Sequence, residues 1–175
     1  MEEAKREKAE REAENEAQGK VGDVEFELMI EKFRFKQPYL SLHTPCSQLK
    51  LCVCVRKRPI FKKEETAGEI DAVSCANPQI IVHEPKFKVD GITKYVDNSS
   101  FTFDNTFNEN ESNEDIYKFS IEPHVEFILN QGVVTCFAYG QTGSGKTFTM
   151  KGLQTLVIND LFKLAASKYK YIFLR

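Results

Sequence analysis

The N-terminal part of the chain changes from a charged pattern to an apolar one. Residues 1–20 combine alanine with charged side chains and lack a large apolar residue after the initial methionine. We expect a charged helical or disordered arm there, because a helix of this composition has no face to bury. Residues 21–48 predict a short amphipathic helix and then an extended linker. The apolar stripe is Phe26, Met29, Ile30 and Phe33, and the linker is marked by Pro38 and Pro45.

Strand patterns begin at residue 49 and recur along the chain. Leu49 to Val55 is apolar on both of its alternating faces, which is typical of a strand buried on both sides in a parallel or mixed sheet. Further strands are predicted at Gln79–His83 and Ser100–Phe107. The stretch from Glu84 to Ser99 between them is polar and charged, and we interpret it as a long hairpin arm.

A helix is predicted from Ser112 to about Asn130. Ser112 and Asp115 have the spacing of a capping box, and Gly132 stands where a C-terminal cap is expected. Pro123 falls within this span, so the helix should kink or break there.

The C-terminal part combines a β-type run with a second helical stripe. Val133–Tyr139 is predicted to form a buried strand that leads directly into a glycine-rich turn. Apolar residues then recur at helical spacing and should belong to the core: Leu153, Leu156, Val157, Leu161 and Leu164. Strands that alternate with helices indicate an α/β fold, with a mixed central sheet flanked by helices.

Composition and charge exclude several functional classes. The 175 residues fit one domain, and 41% of them are apolar, which is enough for a core. The chain has 24 basic and 26 acidic residues, and beyond residue 20 the two signs balance at 19 each. This balance argues against a nucleic-acid partner. No apolar run reaches about 18 residues and the N-terminus is charged, so we expect a cytoplasmic chain without a membrane partner.

The five cysteines show no recognised metal or redox spacing. None of them forms a Cys-x-x-Cys pair. Cys52 and Cys54 lie in the apolar run LKLCVCV, and we interpret them as plain core packing rather than as a metal pair.

One motif carries specific chemistry. The segment Gly140-Gln141-Thr142-Gly143-Ser144-Gly145-Lys146-Thr147 satisfies G-x-x-x-x-G-K-[ST] between a predicted strand and a predicted helix. Glycines let successive N–H groups point at phosphate oxygens, and the helix adds its positive end. Lys146 would reach the outer phosphates and the Thr147 hydroxyl would hold Mg²⁺. The alternative is a glycine-rich turn with a chance lysine.

Catalytic residues for phosphate chemistry are not evident in the sequence. No guanine-reading Asn-Lys-x-Asp follows the loop, so guanine specificity is unsupported. Hydrolysis also needs an acidic residue on a later strand and groups that position water. Only Asp160 is acidic after Thr147, and it lies in the helical stripe. We therefore expect no catalytic residue in this chain, and at most weak nucleotide binding by it alone.

Three segments, in order, resemble kinesin motor domains. FAYGQTGSGKTFTM resembles the kinesin phosphate loop. Val53–Pro59 (VCVRKRP) resembles the kinesin R-x-R-P segment, and Ser100–Phe107 (SFTFDNTF) resembles the strand with the F-x-F-D pattern. MIEKFR, VCVRKRP and VHEPKFKVD look most like the kinesin-thirteen family. Members of that family have an internal motor and remove tubulin from microtubule ends. A different P-loop ATPase stays an alternative only if these matches are accidental.

The resemblance implies a P-loop NTPase of kinesin type that binds ATP and Mg²⁺. Arg56, Arg58 and Pro59 are then expected to line the adenine pocket. Gly140 to Thr147 should wrap the phosphates, with Thr147 serving Mg²⁺. Phe148 stands where many kinesins have His, and its ring can still stack on the base.

The resemblance also implies a tubulin contact. Lys88-Val89-Asp90 resembles the tip of the finger that presses on curved tubulin in the depolymerising family. Without the resemblance, these residues would be an ordinary solvated loop. The charged arm corresponds to the basic neck of the family, but acidic residues outnumber basic ones in it.

The resemblance covers about residues 24–165, which is the first part of a motor domain. Both switch motifs are absent from the sequence, and Tyr169–Arg175 looks like the start of a further strand. We therefore expect a partial motor domain over 49–175, preceded by a neck-like segment at 21–48. The expected protein is a microtubule motor or depolymerase of the cytoskeleton, whose dimerisation stays open. The alternative is a catalytically inactive tubulin- or partner-binding protein.

Overall fold

The computed structural model describes residues 2–37, 42–46 and 50–168. The predictions for Pro38, Leu49 and Tyr169–Arg175 lie outside these residues. Within them, the helices are α1 Glu2–Gln18, α2 Val24–Lys36, α3 Lys62–Thr66, α4 Asn113–Ser120, α5 Glu122–Leu129 and α6 Lys146–Lys168. The strands are β1 Cys54–Arg56, β2 Val73–Ala76, β3 Gln79–Phe87, β4 Lys94–Thr102 and β5 Asn105–Phe107. No helix of the described residues is long and apolar enough to cross a lipid bilayer.

The charged arm is helical and is held by ion pairs. Helix α1 contacts α2. The N-terminus of α2 is capped by Asp23, whose carboxylate accepts hydrogen bonds from Glu25 N and Phe26 N. The pairs between the two helices are Lys8 with Glu25 at 2.9 Å, Arg11 with Glu31 at 2.6 Å, and Lys32 with Glu7 at 2.6 Å. Each exposed pair stabilises the contact only weakly, because water screens its charges. Charge complementarity therefore replaces the apolar face that α1 lacks.

The amphipathic helix is longer and more deeply buried than its stripe predicts. Phe26 and Ile30 of α2 are buried as expected, and Val24 and Leu28 are buried as well. The ring of Phe26 meets that of Phe87 edge-on, with 5.8 Å between centroids. Helix α2 has more than one covered face because it lies between α1 and strand β4.

The predicted hairpin arm forms, and most of it is strand. β3 pairs antiparallel with β4 over nine residue pairs, from Gln79 opposite Thr102 to Phe87 opposite Lys94, and β2 pairs with the other edge of β3. The single strand predicted at Ser100–Phe107 is wrong, because the chain leaves β4 after Thr102 and enters β5 at Asn105. The tip end of the arm, next to the turn at residues 88–93, is held against α2 by Lys94, which contacts Asp23 at 2.6 Å and Glu25 at 2.8 Å.

Two predicted buried strands are corrected by the structure. Of Leu49–Val55, only the end enters β1, which pairs parallel with β5, and the Leu51 and Val53 side chains are exposed. The described residues of Val133–Tyr139 form no strand, and Val133 and Tyr139 are 86% and 98% exposed. Within the described ranges, no neighbouring strand is hydrogen-bonded to this run. An apolar run becomes a buried strand only when such a neighbour satisfies its backbone groups.

The core lies between β5 and the three C-terminal helices. Its buried residues are Phe107, Ile116, Tyr117, Ile121, Val125 and Leu153, and α6 adds the half-buried Leu156, Val157, Leu161 and Leu164. The helical stripe predicted for α6 is therefore confirmed.

The predicted helix after Ser112 is divided in two at Ile121, beside Pro123. Its Ser112–Asp115 capping box is present. At its C-terminal end, the residue with positive φ is Gln131 (67°) rather than Gly132. Gly132 instead donates to Phe127 O at 2.9 Å, and a Cβ on it would lie 2.3 Å from the Phe127 ring.

The interpretation of the cysteines as plain core packing is wrong for Cys52. Cys46 and Cys52 form a disulfide. Cys54 packs against the core as expected, and burial raises the pKa of its thiol to about 11.

A core truncation tests the packing of α6 on α4. Replacing Ile116 with Ala should lower the free energy of unfolding by about 3 kcal/mol, because it leaves a cavity in the buried cluster. The matched control is Ile158→Ala, since Ile158 is 52% exposed and should change stability by about 0.5 kcal/mol or less. Urea unfolding followed by circular dichroism measures both. Equal losses would contradict the assigned core.

The contacts of Lys94 with Asp23 and Glu25, called here the Lys94 clamp, predict that the stability of the fold is sensitive to acid. Hydrogen bonds from Lys94 and Lys8 lower the pKa of Glu25 to about 2. Because the folded pKa is depressed, the stabilisation is complete above the unfolded value of about 4.3 and is lost as pH falls towards 2. We expect the unfolding free energy of Glu25→Gln to fall less steeply over this window than that of the wild type. Parallel pH profiles would contradict the clamp.

Candidate functional site

The glycine-rich segment forms an exposed loop at the N-terminus of the longest described helix. The loop precedes Lys146, the first residue of α6, and turns through a hydrogen bond from Ser144 N to Gln141 O at 3.2 Å. Gly140 has φ +150°, and a Cβ on it would lie 2.6 Å from Ser144 Oγ. Gly143 and Gly145 have φ of 85° and 91°, which side chains disfavour. The spacing of the glycines therefore matches the backbone positions that require them.

The lysine of the motif, Lys146, is hydrogen-bonded to carbonyl groups of the same loop. Lys146 Nζ donates to Gly140 O and to Gln141 O, each at 2.7 Å. The ammonium thus lies at the mouth of the loop, where a negatively charged group would compete with two neutral carbonyls. Thr147 follows in the first turn of α6 and is exposed, as is Thr142 in the loop.

Arg56 connects three elements beside the loop. Its guanidinium donates to Asn113 Oδ1 at 2.5 Å, to Thr149 Oγ1 at 3.0 Å and to Glu111 O at 3.1 Å. It also lies 5.3 Å from the centroid of the Phe148 ring. Burial lowers its pKa from the ordinary value, although an arginine stays charged at neutral pH. Of the predicted adenine-pocket residues, Arg56 and Phe148 are therefore brought together.

Arg58 is directed to a different place. It forms a bidentate pair with the Glu64 carboxylate and lies 4.4 Å from the centroid of the Phe61 ring. Glu64 also accepts from Phe61 N at 2.8 Å, and Arg58 and this N–H lower its pKa to about 2. Pro59 is exposed next to this pair. The roles predicted for Arg58 and Pro59 at the base stay predictions.

Sequence reasoning missed the partners that hold Arg56. Asn113 and Thr149 belong to different helices, and the interaction needs α6 to approach the start of α4 closely. A Cβ on Gly152 would lie 2.1 Å from Asn113 Nδ2, so this approach requires glycine at that position. Gly152 is an isolated glycine within the helical pattern of α6, and it was the sequence signal that could have indicated this contact. Glycine inside a helix often marks a close approach of a neighbouring element.

The tip of the hairpin arm exposes all three of its predicted contact residues, Lys88, Val89 and Asp90, and Val89 is exposed completely. The carboxylate of Asp90 also accepts hydrogen bonds from Thr93 Oγ1 at 2.5 Å, from Thr93 N at 2.8 Å and from Ile92 N at 2.9 Å. These hydrogen bonds, that of the Thr93 hydroxyl first, lower the pKa of Asp90. Asp90 therefore builds the turn, while Lys88 and Val89 are free to meet a partner surface.

A glycine loop with the G-x-x-x-x-G-K-[ST] pattern at the start of a helix is typical of P-loop nucleotide-binding proteins. The family model described as the kinesin motor domain matches residues 56–172, which is more than half of the chain. The chain therefore belongs to the kinesin motor domain family.

A solved kinesin structure shares the fold. It is the KIF14 dimer in the two-heads-bound state with AMP-PNP, in complex with a microtubule. The sequences are 30% identical, the match covers 69% of this chain, and the TM-score is 0.55. This chain spans about a third of the length of the KIF14 chain, at 34%. The fold is thus a kinesin-like motor fold of mixed helices and sheets, present in part.

Proposed function

We propose that this chain contributes the nucleotide-binding loop and a tubulin-contacting finger to a kinesin that acts on microtubules. The observation that carries the proposal is the exposed loop 140–147, whose glycines adopt positive φ directly before α6. Family membership supports nucleotide and Mg²⁺ as the ligands. The microtubule in the KIF14 complex supports tubulin as the partner and the cytoskeleton as the location.

The residues present fit Mg-ATP. The loop offers backbone N–H groups and the positive end of α6, and Lys146 supplies a cation that can leave its two carbonyls for phosphate oxygens. Thr147 is exposed in the first turn and would hold Mg²⁺ through its hydroxyl. Bound ATP would supply the γ-phosphoryl group, whose transfer to water drives a motor. This chain's own residues bind and orient, and we assign none of them to the hydrolysis step.

The base would lie against the aromatic and guanidinium groups next to the loop. Phe148 is 66% exposed and has Arg56 on one side, so its ring is accessible to a flat partner. Arg58 would have to release the Glu64 carboxylate before its guanidinium could stack on the adenine base. We therefore propose Phe148 and Arg56 as the principal adenine contacts, with Pro59 as a further exposed surface.

The hairpin arm supports an action at microtubule ends. Lys88 and Val89 lie in the turn at the end of the fully paired β3–β4 ladder. An extended arm with an exposed cation and an apolar tip is suited to a groove on an acidic partner. Together with the VHEPKFKVD resemblance, this arm is our reason for proposing a depolymerase of the kinesin-thirteen type.

A second candidate is a tubulin- or partner-binding protein without ATP turnover. The observation that favours it is the independence of the arm from the nucleotide loop. The arm is fixed by Lys94 and Phe87 against α2, and none of these contacts involves residues 140–147. Partner binding through the arm would therefore persist if the loop were empty.

Removing Lys146 tests the nucleotide proposal. In the 175-residue chain, Lys146→Ala should weaken Mg-ATP binding by about tenfold or more, because it removes charge-assisted bonds to phosphate. Lys151→Ala is the matched control, since Lys151 is an exposed lysine on the same helix, and it should bind like the wild type. Isothermal titration calorimetry measures all three. Unchanged affinity in Lys146→Ala would refute the assignment.

Reversing the charge at the arm tip tests the tubulin proposal. Lys88→Glu should weaken co-sedimentation with microtubules by roughly tenfold, because it turns an attraction to an acidic surface into repulsion. The matched control is Lys62→Glu, which makes the same change at an exposed residue of α3. If nucleotide binding is intact and both variants sediment alike, the arm is not the contact.

A further inference from the structure

Three cysteines from two separate segments meet beside the first strand. Their Sγ atoms lie within 4.8 Å of one another: Cys46, Cys52 and Cys54. Cys52 and Cys54 are two residues apart in an extended segment, so their side chains share one side, and their sulfurs are 3.5 Å apart.

The surrounding hydrogen bonds hold Cys46 in place. Its N–H donates to Phe119 O at 2.9 Å. Two residues earlier, Thr44 exchanges two bonds with the buried Asn105 side chain, at 3.0 and 2.8 Å. The cluster is therefore built by tertiary contacts on both segments, and it does not depend on the disulfide alone.

Asn105 also provides a donor to one of the sulfurs. Its side-chain nitrogen lies 3.6 Å from Cys46 Sγ, and Asn105 is paired opposite Cys54 in the parallel β1–β5 ladder. N–H donors of this kind orient and stabilise thiolate ligands. The carboxylate of Asp104 accepts a hydrogen bond from Val53 N at 2.7 Å, which places its negative charge at the residue between Cys52 and Cys54. A cation would balance the charge that this arrangement concentrates.

We propose that, in the reduced chain, Cys46, Cys52 and Cys54 form a three-thiolate site for a thiophilic d¹⁰ cation, Zn²⁺ or Cu⁺. Two thiolates on tetrahedral zinc at about 2.3 Å have sulfurs about 3.8 Å apart, which is close to the separation of Cys52 and Cys54. Three thiolates also suit Cu⁺, and zinc would take solvent as its fourth ligand.

Reduction has to precede metal binding. Two cellular thiols, such as glutathione, supply two electrons and two protons. The Cys46–Cys52 bond breaks, both residues become thiols, and the two external thiols become a disulfide. The cation then displaces three protons, one from each cysteine. The site is consequently available in a reducing compartment and closed in an oxidising one.

A metal titration of the full 175-residue chain tests the site. The chain is reduced with a phosphine, freed of reductant without air, and titrated separately with Cd²⁺ as a spectroscopic probe, Zn²⁺ and Cu⁺. We expect one equivalent of Cd²⁺ to give a thiolate charge-transfer band. Competition by Zn²⁺ or by Cu⁺ then tells which of the two the site prefers. Cys54→Ser should weaken binding by more than about tenfold, and Asn105→Ala by about tenfold.

The matched control is Cys75→Ser, because Cys75 is also a half-buried free thiol but donates to Phe107 O away from the cluster. It should bind metal like the wild type. Alkylation of the cysteines, mapped by mass spectrometry with and without metal, gives a second measurement that needs no variant. Zinc or copper should protect Cys46, Cys52 and Cys54 while Cys75 reacts as before. Equal protection of all five cysteines, or of none, would overturn the proposal.

Discussion

The packing of α6 against α4 and α5 is the constraint on which the candidate site depends. The apolar side of α6 is held around Phe107 and Ile116, and this fixes where its N-terminus, and hence the glycine loop, can lie. Gly152 permits the close approach to Asn113, and Arg56 then spans the junction between β1, α4 and α6. A change in the core would therefore be felt at the loop without any contact to it.

Sequence patterns succeeded where the signal was local. The Ser112–Asp115 cap, the break beside Pro123 and the stripe of α6 all follow from residues within a few positions of one another. The loop was also located by its motif, since glycines occupy the positions with positive φ. These features amount to the C-terminal helices and the backbone of the candidate site.

The patterns failed where the outcome depended on distant partners. Val133–Tyr139 has the composition of a buried strand, but a strand also needs a neighbour, which composition does not reveal. Cys46 and Cys52 likewise required the fold around Asn105 to meet.

The hydrogen bonds of Lys146 to Gly140 O and Gln141 O would make the proposed binding at this exposed loop selective for anions. A neutral ligand would gain nothing by displacing the ammonium from Gly140 O and Gln141 O, because it offers no stronger acceptor. Phosphate oxygens carry charge and form shorter, stronger bonds with an ammonium than carbonyls do. The exchange of two carbonyls for phosphate oxygens therefore favours anions over neutral ligands. Selectivity for a nucleotide over free phosphate would then depend on Arg56 and Phe148, which α6 holds next to the loop.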